Sequence, residues 1–135
     1  MALGEKPGKV TMILPMQDGM IRTGLPHIAT ADDPSSERKQ EVRIINPMSL
    51  IQEESKLDYI KCDVEGYEWV IFKELRPVIE KFLPIIQIEI DHENLEKLKS
   101  FFRNLGYLQY GIANFQFVKE NEKQKEAGDF LFIHE

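Results

Sequence analysis

The segment Asp58-Tyr59-Ile60-Lys61-Cys62-Asp63-Val64-Glu65-Gly66-Tyr67-Glu68 decides the fold. It reads as a β-strand that ends in two carboxylates and a glycine where a helix begins. Strand alternation sends Tyr59, Lys61 and Asp63 to one face and Ile60, Cys62 and Val64 to the other. In an open α/β sheet, ligands bind beyond the carboxyl ends of the strands, so acids at a strand-to-helix turn stand where chemistry is usually done. A parallel strand covered on both sides reads as continuous apolar residues, so Lys61 and Asp63 need either a partner or a wet cleft.

Pro84-Ile85-Ile86-Gln87-Ile88-Glu89-Ile90-Asp91 repeats the pattern, with Ile86, Ile88 and Ile90 on one face and Gln87, Glu89 and Asp91 on the other. Two such strands side by side and parallel, joined by the helical stretch between them, would bring their polar faces together. Lys61 could then pair with Glu89, while Asp63, Glu65 and Asp91 gather at the carboxyl rim. A structural ion pair with helix-capping acids and a catalytic or ligand-binding role are both open readings of such a network.

Lys61-Cys62-Asp63-Val64-Glu65-Gly66-Tyr67-Glu68, followed after a helix by Pro84-Ile85-Ile86-Gln87-Ile88-Glu89-Ile90, closely resembles the FkbM-type family of S-adenosylmethionine-dependent methyltransferases. That family shows a Lys-x-Asp-Val-Glu-Gly-x-Glu block and a downstream Pro-x-x-x-x-Glu strand. The opening Ala2-Leu3-Gly4-Glu5-Lys6-Pro7-Gly8-Lys9-Val10 resembles the segment after the third strand of such domains, and the order agrees.

The resemblance implies a partial Rossmann-like class I methyltransferase sheet, mainly parallel and closed by a carboxyl-terminal antiparallel hairpin. It also implies S-adenosylmethionine as cofactor and methylation of a hydroxyl on a sugar or natural-product-type small molecule. Such a displacement needs orientation and a group that accepts the hydroxyl proton. Asp63 is the leading candidate, for the acceptor hydroxyl or the cofactor edge, with Glu65 and Glu89 as its catalytic companions. Lys61, Asp91 and His92 are the candidate substrate contacts.

The chain departs from the family pattern at its start. A full domain opens with a Gly-rich turn that holds the cofactor and an acid, ending the second strand, that holds the ribose. Gly4, Gly8, Gly19 and Gly24 are scattered and form no Gly-x-Gly-x-x-Gly after a strand. The expectation is a chain that starts just inside the third strand and carries the carboxyl-terminal half of the domain. A second reading follows: a non-catalytic half-domain whose strand edge beside Asp63 is unpaired and self-associates or binds a partner chain. A metal-dependent glycosyltransferase using Asp63-Val64-Glu65 is a third, again without a nucleotide-binding segment.

The 135 residues, 42% hydrophobic and 30% charged, suit one domain spanning 1–135. A net charge of −6 with dispersed Lys and Arg argues against nucleic acid. The single cysteine, Cys62, lies on the apolar strand face and is expected to be a buried, inert thiol. No run approaches the ~18 apolar residues of a membrane span, and no signal peptide is evident, so a cytoplasmic protein is the default expectation. Asp63, Glu65 and His92 offer metal donors, but nothing completes a coordination shell and no metal is expected. His92 is either a base near neutral pH or a surface loop residue; His27 and His134 are read as incidental.

Elsewhere, 9–15 reads as a strand, 17–36 as a loop, and 41–46 as a return strand that hairpins with the first. Residues 47–55 read as a short helix with Leu50 and Ile51 inward. A helix over 67–82 is expected to break near Arg76 because of Pro77. A second amphipathic helix, 94–105, stops at Gly106. Strands at 107–113 and 129–134, with a short one at 115–118, flank a charged excursion over 119–129.

Overall fold

Isoleucine at every second position of residues 86–90 makes a strand with one dry face. In a computed structural model, which describes residues 1–17, 20–21, 27–29, 38–64, 66–90, 93–113, 116–119 and 128–135, Ile86, Ile88 and Ile90 are fully buried while Glu89 is exposed. This strand and its predecessor pair in parallel, Tyr59 level with Ile85 and Cys62 level with Ile88. In chain order the elements are β1 (Ala2–Leu3), β2 (Gly8–Leu14), β3 (Met16–Gln17), β4 (Met20–Ile21), β5 (His27–Ile28), β6 (Arg38–Ile45), α1 (Met48–Ile51) and β7 (Tyr59–Cys62). They continue as α2 (Glu68–Phe82), β8 (Ile85–Ile90), α3 (Leu95–Asn104), β9 (Tyr107–Ala113), β10 (Gln116–Lys119) and β11 (Gly128–His134).

The main sheet has the order β10-β9-β11-β8-β7. It is α/β as expected, yet it is not mainly parallel: among the described residues β7–β8 is its one parallel pairing. The crossover through α3 does return β9 in the direction of β8. The gap between them is then filled by β11, antiparallel to both. A second sheet, β1-β6-β2-β5, is built on the β2–β6 hairpin that the sequence predicts, with β1 added in parallel to β6. The expected loop over 17–36 holds short pairings, β3 with β4 and β5 with β2; its residues 18–19, 22–26 and 30–36 lie outside the described residues.

Pro77 does not break α2. It lies on the solvent side between Arg76 and Glu80, whose side chains join across it at 2.9 Å, while Ile71, Phe72, Leu75, Val78 and Ile79 form the buried stripe opposite. A helix-interior proline costs about 3 kcal/mol. Burying each of those side chains gains about 1.5–3 kcal/mol, so the stripe wins. In the short helix before β7, Ile51 packs on the core as expected, but Met48 rather than Leu50 joins it, and Leu50 is 49% exposed. Asn46 Oδ1 accepts from the Met48 N–H at 2.8 Å.

α2 and α3 bury their apolar sides against one face of the main sheet. Phe102, fully buried, stacks on Phe132 with ring centroids 4.3 Å apart and meets Phe72, Phe101 and Tyr107 edge-on. Trp69 packs edge-on against Phe101, as a structural residue should. Gly106, at φ 82°, ends α3 where the sequence predicts.

The second sheet is joined to the helical layer near α2. Asn46 Nδ2 donates to the Glu5 carbonyl at 2.9 Å and to Glu74 Oε2 at 2.8 Å. Lys73 donates to Glu5 at 3.1 Å, and that hydrogen bond, with the lysine's charge, holds the Glu5 carboxyl below its ordinary range. A side chain at Gly4 would meet Ile44 Cγ2 at 2.9 Å, so this close approach requires glycine.

Candidate functional site

Because the helices cover one face of the main sheet, the other face carries the polar alternates Tyr59 and Lys61 on β7, Gln87 and Glu89 on β8, and Asp129 on β11, together with the buried Leu131 opposite Gln87. The polar partners sought for Lys61 are therefore solvent and near neighbours. Its ammonium pairs with Asp63 at 3.5 Å, along its own segment rather than across to Glu89. Register explains this, since Lys61 stands level with Gln87 and Asp63 is the next residue on its own face. The Tyr59 hydroxyl donates to Gln87 Oε1, tying the two strands on this same face.

Asp63 follows the last residue of β7 and is 53% exposed at its side chain, so its carboxylate reaches solvent at the strand's carboxyl end. Glu89 lies on the adjacent strand and is also exposed. The structure thus brings Lys61 and Asp63 into contact and sets Glu89 on their face. Glu65, Asp91 and His92 lie outside the described residues. Asp129 stands directly opposite Glu89 in the antiparallel β8–β11 pair. Like charges so placed destabilise a sheet, and they give the open face a negative character suited to cationic or hydroxyl-rich ligands. Sequence reasoning did not single out Asp129, because its place depends on which strand β11 joins.

Behind the rim lies a buried polar cluster. Glu68, in the first turn of α2, is 2% exposed. Its Oε1 accepts from the Gly66 N–H at 2.9 Å and its Oε2 from Asn94 Nδ2 at 2.8 Å. Asn94, 9% exposed, also donates from Nδ2 to the Gly66 carbonyl at 3.1 Å. A buried carboxylate needs such partners, and the amino-terminal end of α2 adds a favourable dipole. Gly66 has φ 77°, a conformation that favours glycine. Glu68 stood in the quoted motif without an assigned role, and Asn94 read only as a helix start; the linkage between them is long-range and leaves no local signal.

Cys62 is buried as expected. Burial pushes its thiol up to about 12, and the negative charges of Glu68 and Asp63 add to the effect. It is therefore a neutral packing group at ordinary pH and no nucleophile.

No helix among the described residues is long and apolar enough to cross a membrane. Neither the curated proteins nor the solved structures contain a match to this chain. A family model described as "Methyltransferase FkbM domain" matches residues 1–108, from the amino terminus through the start of β9. That span contains the β7 turn, Glu68, β8 and Asn94, and on this match the chain belongs to the FkbM methyltransferase domain family.

Proposed function

We propose that the chain takes part in S-adenosylmethionine-dependent methylation of a hydroxyl group on a small molecule of sugar or natural-product type. The observation that carries the reading is the exposed Asp63 carboxylate at the carboxyl end of β7, within a segment matched by a methyltransferase family. S-adenosylmethionine, when bound, supplies the methyl group. The donor set here fits one end of such a ligand, because the exposed carboxylates of Asp63 and Glu89 suit an ammonium or hydroxyl groups.

In this reading Asp63 would orient the acceptor hydroxyl and take its proton as the carbon–oxygen bond forms and the methyl–sulfur bond breaks, its electron pair leaving on the neutral thioether. Lys61 holds Asp63 from one side, and Glu89 lines the same face. Glu65 as catalytic companion, and Asp91 and His92 as substrate contacts, are assigned from the sequence alone. Calorimetric titration of the full chain with S-adenosylmethionine tests this. Saturable heat is expected, weakened about tenfold or more in Asp63→Asn through loss of a charge-assisted contact, with the circular dichroism spectrum unchanged. Absence of heat, or equal affinity in the variant, would refute the reading.

A second reading is favoured by one observation: β7 is an outer strand of the main sheet among the described residues. An unpaired strand edge is a template for another chain, so the domain would self-associate through β7. Sedimentation velocity should then show a dimer that Lys61→Pro dissociates, since the Lys61 N–H lies on the edge of β7 away from β8, and a monomer at all concentrations would end this reading.

A further inference from the structure

Asparagine at the start of a helix ordinarily caps that helix with its own side chain. Asn94 occupies this place in α3 and makes no such bond. Its amide is turned back to the Gly66 carbonyl and to Glu68 Oε2. Glu68 in turn reaches back to the Gly66 N–H, so both polar groups of the Gly66 backbone are held by buried side chains. Glu68 and Asn94 stand 26 residues apart, the same offset at which β7 and β8 are registered. Beyond the strand ends, then, the two chain segments remain in step.

We infer that Glu68 and Asn94 are positioning residues that clamp the turn after β7 to the turn after β8, and so set where Asp63 stands relative to Glu89. This rests on the reading of Asp63 and Glu89 as ligand contacts. A helix-capping role alone would spend each side chain on its own helix. Here the Glu68–Gly66 bond closes the turn after β7, and the two Asn94 bonds tie that turn to the segment that follows β8.

The test uses the full chain with Glu68→Ala, Asn94→Asp and the exchanged pair Glu68→Gln with Asn94→Asp. The exchange restores an amide-to-carboxylate bond with its direction reversed and keeps an oxygen for the Gly66 N–H. Hydrogen exchange at the Gly66 amide is expected to quicken about tenfold or more in Glu68→Ala and Asn94→Asp, with exchange at Ile88 unchanged. In the exchanged pair, which still lacks the donor to the Gly66 carbonyl, exchange should be slower than in Asn94→Asp without reaching wild type, and S-adenosylmethionine affinity should fall and partly recover in the same order.

Gly66 exchange that is unaltered in Glu68→Ala overturns the clamp, as does an exchanged pair no better than Asn94→Asp or unable to fold. Affinity unchanged in a variant with a loosened Gly66 overturns the positioning role. If the wild-type chain binds no S-adenosylmethionine, the proposed function fails and the exchange measurements alone decide the clamp.

Discussion

The two faces of the main sheet are made by alternate residues of the same strands, and they behave as different materials. On β8, Ile86, Ile88 and Ile90 are buried under α2 and α3, while Gln87 and Glu89 between them face the open side. The covered face holds a continuous aromatic and aliphatic cluster. The open face holds an exposed ion pair, the Tyr59–Gln87 bond and two acids set opposite each other. A period of two is enough to separate buried from exposed residues within one strand.

Substitutions along one strand should break this division if it is wrong. The largest effect is expected for Phe102→Ala, about 3–5 kcal/mol of unfolding free energy, with Ile88→Ala close behind at about 2–5 kcal/mol, both read by urea denaturation. Gln87→Ala, one residue away, should cost less than about 1.5 kcal/mol, since it removes one exposed hydrogen bond. Equal losses at residues 87 and 88 would erase the distinction between faces.

The covered face also sets an alkaline limit. Cys62 and Tyr107 are both raised by burial to about 12, from 9.0 and 10.0 respectively. Their neutral forms are favoured by folding, so this contribution is complete below pH 9 and is lost as pH rises toward 12. The urea midpoint should fall across that window, and Cys62→Ala should flatten the fall. A midpoint constant from pH 9 to 12 would mean that the thiol is wetter than its surroundings indicate.

Pro77→Ala sharpens the comparison from the solvent side of α2. Restoring the N–H recovers part of a penalty of about 3 kcal/mol, against about 1 kcal/mol of lost chain restriction in the unfolded state, so a net gain below about 2 kcal/mol is expected in thermal unfolding. The smallest effect belongs to Lys61→Ala. Its ion pair is exposed and long, so stability should change by less than about 1 kcal/mol. A larger loss would place Lys61 in the structural framework.

Much of the main sheet was legible because its signals are local. The isoleucine alternation over 86–90, the glycine after Asp-x-Glu and the apolar stripe of α3 each fix a strand, a turn or a helix within a few residues. What could not be read locally was decided by packing. Pro77 announces a break, yet the burial of Leu75, Val78 and Ile79 overrides it. Leu50 and Ile51 fit one inward helical face, and Ile51 keeps its place, yet Met48, whose N–H is bonded to Asn46, packs inward where Leu50 was expected. The insertion of β11 between β8 and β9 has no sequence mark at all.

The candidate site follows the same rule. Asp63 and Glu89 were found from alternation and motif, while the Asp129–Glu89 opposition and the Glu68–Asn94 linkage needed register between distant segments.

The central claim is that the polar face at the tips of β7 and β8 receives the ligand. Its most direct test is a nuclear magnetic resonance titration of the full chain with S-adenosylmethionine, following backbone amides. Expected are saturable shifts concentrated at Lys61, Asp63, Gly66 and Glu89, with Ile88-flanking core resonances of α2 and α3 nearly still. Shifts confined to other regions, or no saturable change at any amide, would contradict it.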